Sequence, residues 1–306
     1  MIKELQKRPT EFKENHCWQY DIRKNNYESD LKEINLSEIE INNLSIDDFT
    51  FEYVDKNNKP KCAEIKKFIE KHEWLGKMPI FVTHRFTTRL KKNNALAGVL
   101  IFATPNSFSY LLGKENKDKE KLISRGACIS WSPKNLASWL IMKSINFMVK
   151  YTEFRIFTAY SDPEAKELGT IYQSCNFYYL GNSFGGDSQY FDLDNKSRGW
   201  FGSSGFSDRS QIIRYAKKIG IEWHKSWYKY VGSKKNYRKI NWKEIPEDIT
   251  KELKDEQRKH KNLCLKRKSP SKHKYAYILG KNKKETKELK RLFSGKICDY
   301  PKERGK

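Results

Sequence analysis

Asp162 and Tyr172, a carboxylate and a phenol in one short stretch, are the side chains whose types and spacing first suggest chemistry. A carboxylate near a nucleophile serves as a general base, and a phenol can protonate a departing group. Both lie in residues 155–181, RIFTAYSDPEAKELGTIYQSCNFYYLG, which read as strand, polar loop, short helix, strand. The β-branched and aromatic run at 155–160 stops at Ser161-Asp162-Pro163, a turn-forming triplet whose proline cannot extend a central strand. From about Glu164 the pattern turns helical, with Leu168, Ile171 and Cys175 on one side and Tyr172 beside that stripe, before Phe177-Tyr178-Tyr179-Leu180 resumes an extended pattern. Asp162 and Tyr172 can then face one cleft. The plainer alternative is that Asp162 caps the helix and Tyr172 is an amphipathic core residue.

The elements around this stretch follow from periodicity. Residues 49–54 alternate as a half-buried strand, DKNNKP is turn chemistry, and a helix follows with Cys62, Ile65, Phe68 and Ile69 on one face. Residues 81–90 alternate again, putting His84 and Arg85 on opposite faces, so that at most one of them reaches a cleft directly; His84 is the candidate. Residues 95–104 are almost wholly apolar, as suits a strand buried on both faces, and 122–131 form the next strand. A long helix at 136–151 carries Leu140, Ile141, Ile145 and Met148 on one stripe. From Trp200 a Gly/Ser linker ends in a helix cap at Ser207, followed by a short basic helix at 211–219 closed by Gly220. Two or three more helices and one strand at 274–279 complete the chain. The expected domains are a lead-in at 1–48, a catalytic domain at 49–197 and a basic, mainly helical extension at 198–306.

Composition bounds the function. The 306 residues carry a net charge of +23, and residues 198–306 hold 32 Lys and Arg against 12 Asp and Glu, most of that excess. Such asymmetry points to a polyanion, nucleic acid being the commonest; a lysine-rich composition alone would have made the remainder comparably basic. No apolar run is long enough to span a bilayer and the start lacks a secretory core, so a cytoplasmic protein without a membrane partner is expected. The six cysteines are scattered without zinc-type spacing, which predicts free thiols and no metal;.

Tyr172 with Phe177 five residues on, then a glycine after a short strand, resembles the last unit of the GCN5-related N-acetyltransferase fold. YSDPEAKELGTIYQSCNFYYLG, with HEWLGKMP at 72–79 and GVLIFATP at 98–105, resembles more narrowly the phage Mom family of DNA adenine modification proteins. The similarity covers about residues 49–183. It implies an α/β (α+β) fold, a mixed sheet flanked by helices, in the order strand, helix, three strands, helix, strand, helix, strand. It also implies transfer of an acyl-derived, carbamoylmethyl-type group to adenine N6 in double-stranded DNA, which protects the DNA from restriction. By the same resemblance acetyl-CoA is the expected cofactor, Asp162 the base and Tyr172 the acid.

In that fold the cofactor pyrophosphate rests on backbone N–H groups at the start of the helix after the fourth strand. Here the corresponding residues are Ser132, Lys134, Asn135, Ala137 and Ser138, which lack the usual Arg/Gln-x-x-Gly-x-Gly; a capped helix start explains Ser132-Pro133 equally well;. Glu73-Trp74 stand where Mom relatives have a His-Tyr pair, so the iron role suggested for the family stays open but has no support in this motif. Arg125 is either a partly buried cation with a carboxylate partner or a phosphate contact. Trp74, Trp131 and Trp139 are either core residues or platforms for a flipped base. The basic clusters Lys234-Lys235, Lys266-Arg267-Lys268 and 281–284, interleaved with Trp227, Tyr228, Tyr230 and Tyr237, are the candidates for holding DNA. Two rival readings stand beside this one: an acyl-CoA-dependent N-acyltransferase acting on RNA, protein or a small amine, and a non-catalytic DNA-binding protein with an acetyltransferase-like core.

Overall fold

The computed structural model describes residues 17–302 apart from 35, 80, 106, 184–187 and 231–237, and it divides into two compact units. Of the described residues, 17–183 and 271–302 form the larger unit, and 188–230 with 238–270 form the smaller. In chain order the elements are α1 (Trp18–Ile34), α2 (Glu38–Asn42), β1 (Phe49–Tyr53), α3 (Lys59–His72), β2 (Val82–Leu90), β3 (Leu96–Ala103), β4 (Glu120–Cys128), α4 (Leu136–Tyr151), β5 (Ile156–Ser161), α5 (Thr170–Ser174) and β6 (Tyr178–Asn182). The smaller unit holds β7 (Ser188–Phe191), β8 (Trp200–Gly202), α6 (Arg209–Lys218), β9 (Tyr228–Tyr230), β10 (Arg238–Ile240), α7 (Glu247–Leu263) and β11 (Leu265–Lys268), after which β12 (His273–Ile278) and α8 (Lys283–Leu292) belong to the larger.

The larger unit is built on a seven-stranded sheet in the order β1-β2-β3-β4-β5-β12-β6, antiparallel except for the parallel β4–β5 pair. On β3 the alternation is plain: Ala97, Val99 and Ile101 enter one core with Ile65, Phe68 and Ile69 of α3, whereas Leu100 and Phe102 enter the other with Leu140, Ile145 and Met148 of α4. Both faces are thus covered by helices, which is why β3 reads as a continuous apolar run. This is the mixed, acetyltransferase-type sheet expected from the sequence.

Three expectations need correction. Residues 271–306 are not part of an extension: β12 inserts between β5 and β6, and α8 follows it in the same unit. Buried Arg155 ties this returning segment down, its Nε 2.6 Å from Glu285 Oε1 while its Nη1 donates to the carbonyls of Thr152 and Phe154. The smaller unit is not mainly helical, since it carries the sheets β11-β7-β8 and β10-β9 beside α6 and α7. Asp208 rather than Ser207 stands at the cap of α6. Among the described residues no helix is long and apolar enough to cross a membrane, and all six cysteines are free.

The lead-in has a structural task. Asp30 on α1 is fully buried; it accepts from Ser130 Oγ at 2.7 Å and pairs with Lys71 Nζ at 2.8 Å, joining α1 to α3 and to the loop after β4. Lys71 is about a third exposed and keeps Glu33 at 2.9 Å, so the cost of Asp30→Ala falls on the Ser130 hydroxyl and amide that lose their buried acceptor, about 2 kcal/mol of unfolding free energy;. Chemical denaturation checks this, and an unshifted midpoint would contradict it.

Candidate active site

The site forms where the sheet comes apart. β4 and β5 pair from Glu120↔Ile156 to Ile123↔Ala159 and no further. Beyond that point β4 continues through Ser124, Arg125 and Gly126 while β5 ends at Ser161, and a cavity of about 950 Å³ opens between them. Its wall is completed by α1, by the segment after α3, by the start of α4 and by the turn from Asp162 to Tyr172.

Glu167 occupies the centre of that turn. Its Oε1 accepts from Trp74 Nε1 at 3.0 Å and its Oε2 from the Asp162 backbone N–H at 3.0 Å. Burial pushes the Glu167 carboxyl up to about 7; the charges of Glu73 and Asp162 add to the rise and the two hydrogen bonds oppose it;. A glutamate titrating near neutrality beside a cavity is suited to exchanging protons.

The turn itself is held by Asp162. Its Oδ1 accepts from the Glu164 N–H at 2.9 Å, its carbonyl from Ala165 and Glu167, and its Oδ2 lies 3.3 Å from Lys272 Nζ. The helix expected from Glu164 is broken because Lys166 and Gly169 take left-handed φ of 56° and 68°, leaving α5 as a single short turn. At Gly169 the conformation favours glycine, and a Cβ there would come within 2.4 Å of the Tyr275 ring;. Tyr275 on β12 in turn donates its hydroxyl to the Leu168 carbonyl, so the strand returning from the C-terminal segment braces the turn.

Tyr172 lines the same cavity, half-buried, with its ring 5.4 Å from those of Phe177 and Tyr275. Its phenol makes no hydrogen bond to any described residue. Burial, with the charges of Glu167 and Glu73, raises its pKa, so that it stays protonated through the neutral range;.

The remaining expected residues divide. Arg125 lines the cavity with Glu73 as its carboxylate partner, Nε to Oε2 at 3.9 Å, and it donates to the carbonyls of Lys77 and Ser124. Trp74 lines it too, its indole held by Glu167 and edge-on to Trp18 at 5.3 Å. Trp131 stacks on Phe49 and Trp139 meets Phe51 edge-on; neither lines the cavity. His84 does not reach it either. β2 turns His84 to the face it shares with Phe86, where the rings of Tyr53 and Phe154 flank it and burial pushes it down to about 4, helped by the charges of Lys121 and Arg85. In the smaller unit Lys266 and Lys268 are exposed on β11, whereas Arg267 lies over Trp200 at 4.3 Å and donates to Gln189. Lys234, Lys235 and Tyr237 lie outside the described residues.

Ser132, Lys134, Asn135, Ala137 and Ser138 all border the cavity. Asn135 precedes α4 with φ 69° and gives it no side-chain cap. The amides of Ala137 and Ser138 find no partner among the described residues. Counted from Ser132, Asn135 and Ala137 stand at the glycine positions of the pyrophosphate pattern; asparagine tolerates the left-handed backbone and alanine stays small;. Two open amides at the positive end of a sixteen-residue helix fit a pyrophosphate;. Arg23 of α1 holds this loop, donating to the Ser130 carbonyl at 3.0 Å and Ser132 Oγ at 3.2 Å. No trio of metal-ligating side chains converges in the cavity among the described residues, and Glu73 and Trp74 serve Arg125 and Glu167 instead.

Sequence reading missed Glu167, Glu73 and Arg23. On the helix expected after Pro163, Glu167 falls outside the apolar stripe, where a glutamate attracts no notice. Its burial depends on Trp74, 93 residues away in the chain.

Residues 58–198 match the model of the Mom protein family. No curated protein matches the chain. Among solved structures, the ribosomal-protein-S5-alanine acetyltransferase from Vibrio fischeri is 12% identical over 42% of this chain, with a TM-score of 0.28, and this chain spans 59% of it. A putative acetyltransferase from Salmonella typhimurium with its cofactor acetyl-CoA is 12% identical over 44% of this chain and 82% of its own, TM-score 0.32. A ribosomal L7/L12 alpha-N-protein acetyltransferase is 10% identical over 76% and 95%, TM-score 0.34. The assignment of the fold rests on the strand order and on the parallel pair that parts to open the cavity. Over residues 58–198 this chain is similar to the Mom protein family, and most of that segment lies on the seven-stranded mixed sheet.

Proposed function

We propose that the protein is a transferase that modifies the exocyclic amine of adenine in DNA, with Glu167 as the proton acceptor. The observation that carries this reading is the Glu167 carboxyl, held by Trp74 and the Asp162 amide in a cavity that also presents the Tyr172 phenol and the open start of α4, where burial pushes it up to about 7. Adenine N6 is a poor nucleophile because its lone pair is delocalised into the ring, so its attack needs a base near the working pH. Glu167 takes the amine proton as the new C–N bond forms. Asp162, engaged by Lys272 and by the turn, is a positioning residue whose backbone N–H orients Glu167.

An acyl-CoA held at the start of α4 would supply the activated acyl carbon and a thiolate leaving group. Thiols ordinarily titrate at about 8.5, below a phenol whose pKa is raised, so full proton transfer from Tyr172 to a thiolate would run uphill. Tyr172 therefore acts by donating a hydrogen bond to the departing sulfur. Adenine N6 lies within the base pair, so the nucleotide must leave the stack at a cost of a few kcal/mol that backbone contacts offset. The smaller unit, with 21 Lys and Arg against 11 Asp and Glu in residues 185–270, is the proposed source of those contacts;.

Mass spectrometry of nucleosides from DNA co-expressed with the protein should show an adenine adduct. Glu167→Gln should reduce adduct formation about 10²- to 10³-fold and Tyr172→Phe about 10²-fold. Unmodified adenine alongside well-expressed wild type sinks the proposal. The base form of Glu167 predominates above its raised pKa, so wild-type kcat/KM should climb with pH through about 7, a limb that Glu167→Gln lacks. Because that pKa is raised on folding, Glu167 favours the folded state below its ordinary 4.5 and loses this contribution as pH rises through about 7;. Urea melts should therefore show wild type losing stability relative to Glu167→Gln over that window.

The grip on DNA has its own test. Charge reversal at exposed Lys266 and Lys268 should weaken duplex binding regardless of sequence and lower the salt slope by about 1 for each phosphate no longer neutralised. Unchanged affinity and slope would move the DNA-binding surface elsewhere.

A further inference from the structure

A second cluster of chemically capable side chains lies wholly within the smaller unit. Asp192 directly follows β7, His260 is in the last turn of α7, and Cys264 stands at that helix's C-terminal end. Asp192 Oδ2 is 3.1 Å from His260 Nε2, and one ligand atom from each of the three residues lies within 4.8 Å of the others. The arrangement is oriented from outside. Asp192 Oδ1 accepts from the backbone N–H groups of Asp194 at 3.0 Å and Asn195 at 3.2 Å, which leaves Oδ2 toward the trio. His260 Nδ1 meets the Tyr215 hydroxyl at 2.7 Å, and Phe206 packs edge-on to the ring at 5.3 Å, which fixes Nε2 inward. An outer partner on the second imidazole nitrogen is what metal-ligating histidines carry.

We infer that Asp192, His260 and Cys264 bind a divalent ion of the zinc class, with the fourth position left to solvent or an added ligand. A tetrahedral ion with bonds of about 2.0 Å to nitrogen and oxygen spaces those atoms about 3.3 Å apart, close to the Asp192–His260 separation. The carboxylate and a thiolate together neutralise the ion's two charges. Thiolate with imidazole selects zinc over magnesium or calcium, which take all-oxygen sets. Asp192 and His260 are 68 residues apart in the chain, so the ion would clamp the end of β7 to the end of α7. The bare alternative is a Tyr215–His260–Asp192 hydrogen-bond chain with a thiol nearby. The ligands lie outside the acyl-transfer cavity, so the inference stands or falls independently of the proposed reaction.

The test uses the full chain, freed of metal with a chelator. Titration with Zn(II) against a chromophoric chelator should show one ion per chain, and Co(II) should give tetrahedral d–d bands with a thiolate charge-transfer band. Cys264→Ser should remove that band and weaken zinc binding about 100-fold. Asp192→Asn, which keeps an oxygen for the Asp194 and Asn195 amides, should weaken binding while preserving the fold. In the wild type, Zn(II) should protect Cys264 from alkylation, read by peptide mass spectrometry, so the test does not depend on the variants folding. Absence of stoichiometric binding, equal binding by wild type and Cys264→Ser, or alkylation of Cys264 unaffected by zinc would each overturn the inference.

Discussion

The site depends on the ladder between β4 and β5 ending after Ile123 and Ala159. A parallel pair that continued would bury its backbone groups in each other and leave no opening. Because it stops, the rest of β4 passes one wall of a cavity while β5 gives way to the Asp162 turn. Helix α4 starts at the same opening with its amides of Ala137 and Ser138 unpartnered among the described residues. One break in pairing thus brings a helix end with open amides, a buried carboxyl and a phenol to a common space;.

Three carboxylates, those of Glu73, Asp162 and Glu167, crowd this space, and their differing partners separate their roles. Glu73 has Arg125 and the Gly76 amide; Asp162 has Lys272 and the turn it caps. Glu167 has only neutral donors, an indole and a backbone N–H, so burial dominates and its proton is held to near neutrality;. Replacing a neutral partner with a cation would lower that pKa and remove the base from its useful range. The absence of a glycine pattern at the start of α4 is tolerated for a similar local reason: Asn135 adopts the left-handed backbone that the pattern supplies with glycine;.

Much of the sheet is legible in the sequence because its signals are local. The two-face alternation on β3, the stripe on α4 and the proline stop after Asp162 each follow from neighbouring residues. Tyr172 was visible for the same reason. What escaped depends on distant partners: β12 pairs with β5 across more than a hundred residues, Glu167 acquires its character from Trp74, and α1 gains its task through contacts to the end of α3 and to the loop after β4. His84 does not line the cavity: alternation shows that two faces exist but not which one the cavity occupies. The break in the helix at Lys166 and Gly169 likewise rests on Tyr275, which no local pattern brings near.

On this reading the fold holds one carboxyl, that of Glu167, poised between its two protonation states. Its most direct measurement is a side-chain carbon NMR titration of selectively labelled glutamates, with the Glu167 resonance assigned by comparison with Glu167→Gln. A Glu167 midpoint at about 7 is expected. A Glu167 midpoint in the ordinary range near 4.5 would contradict this reading.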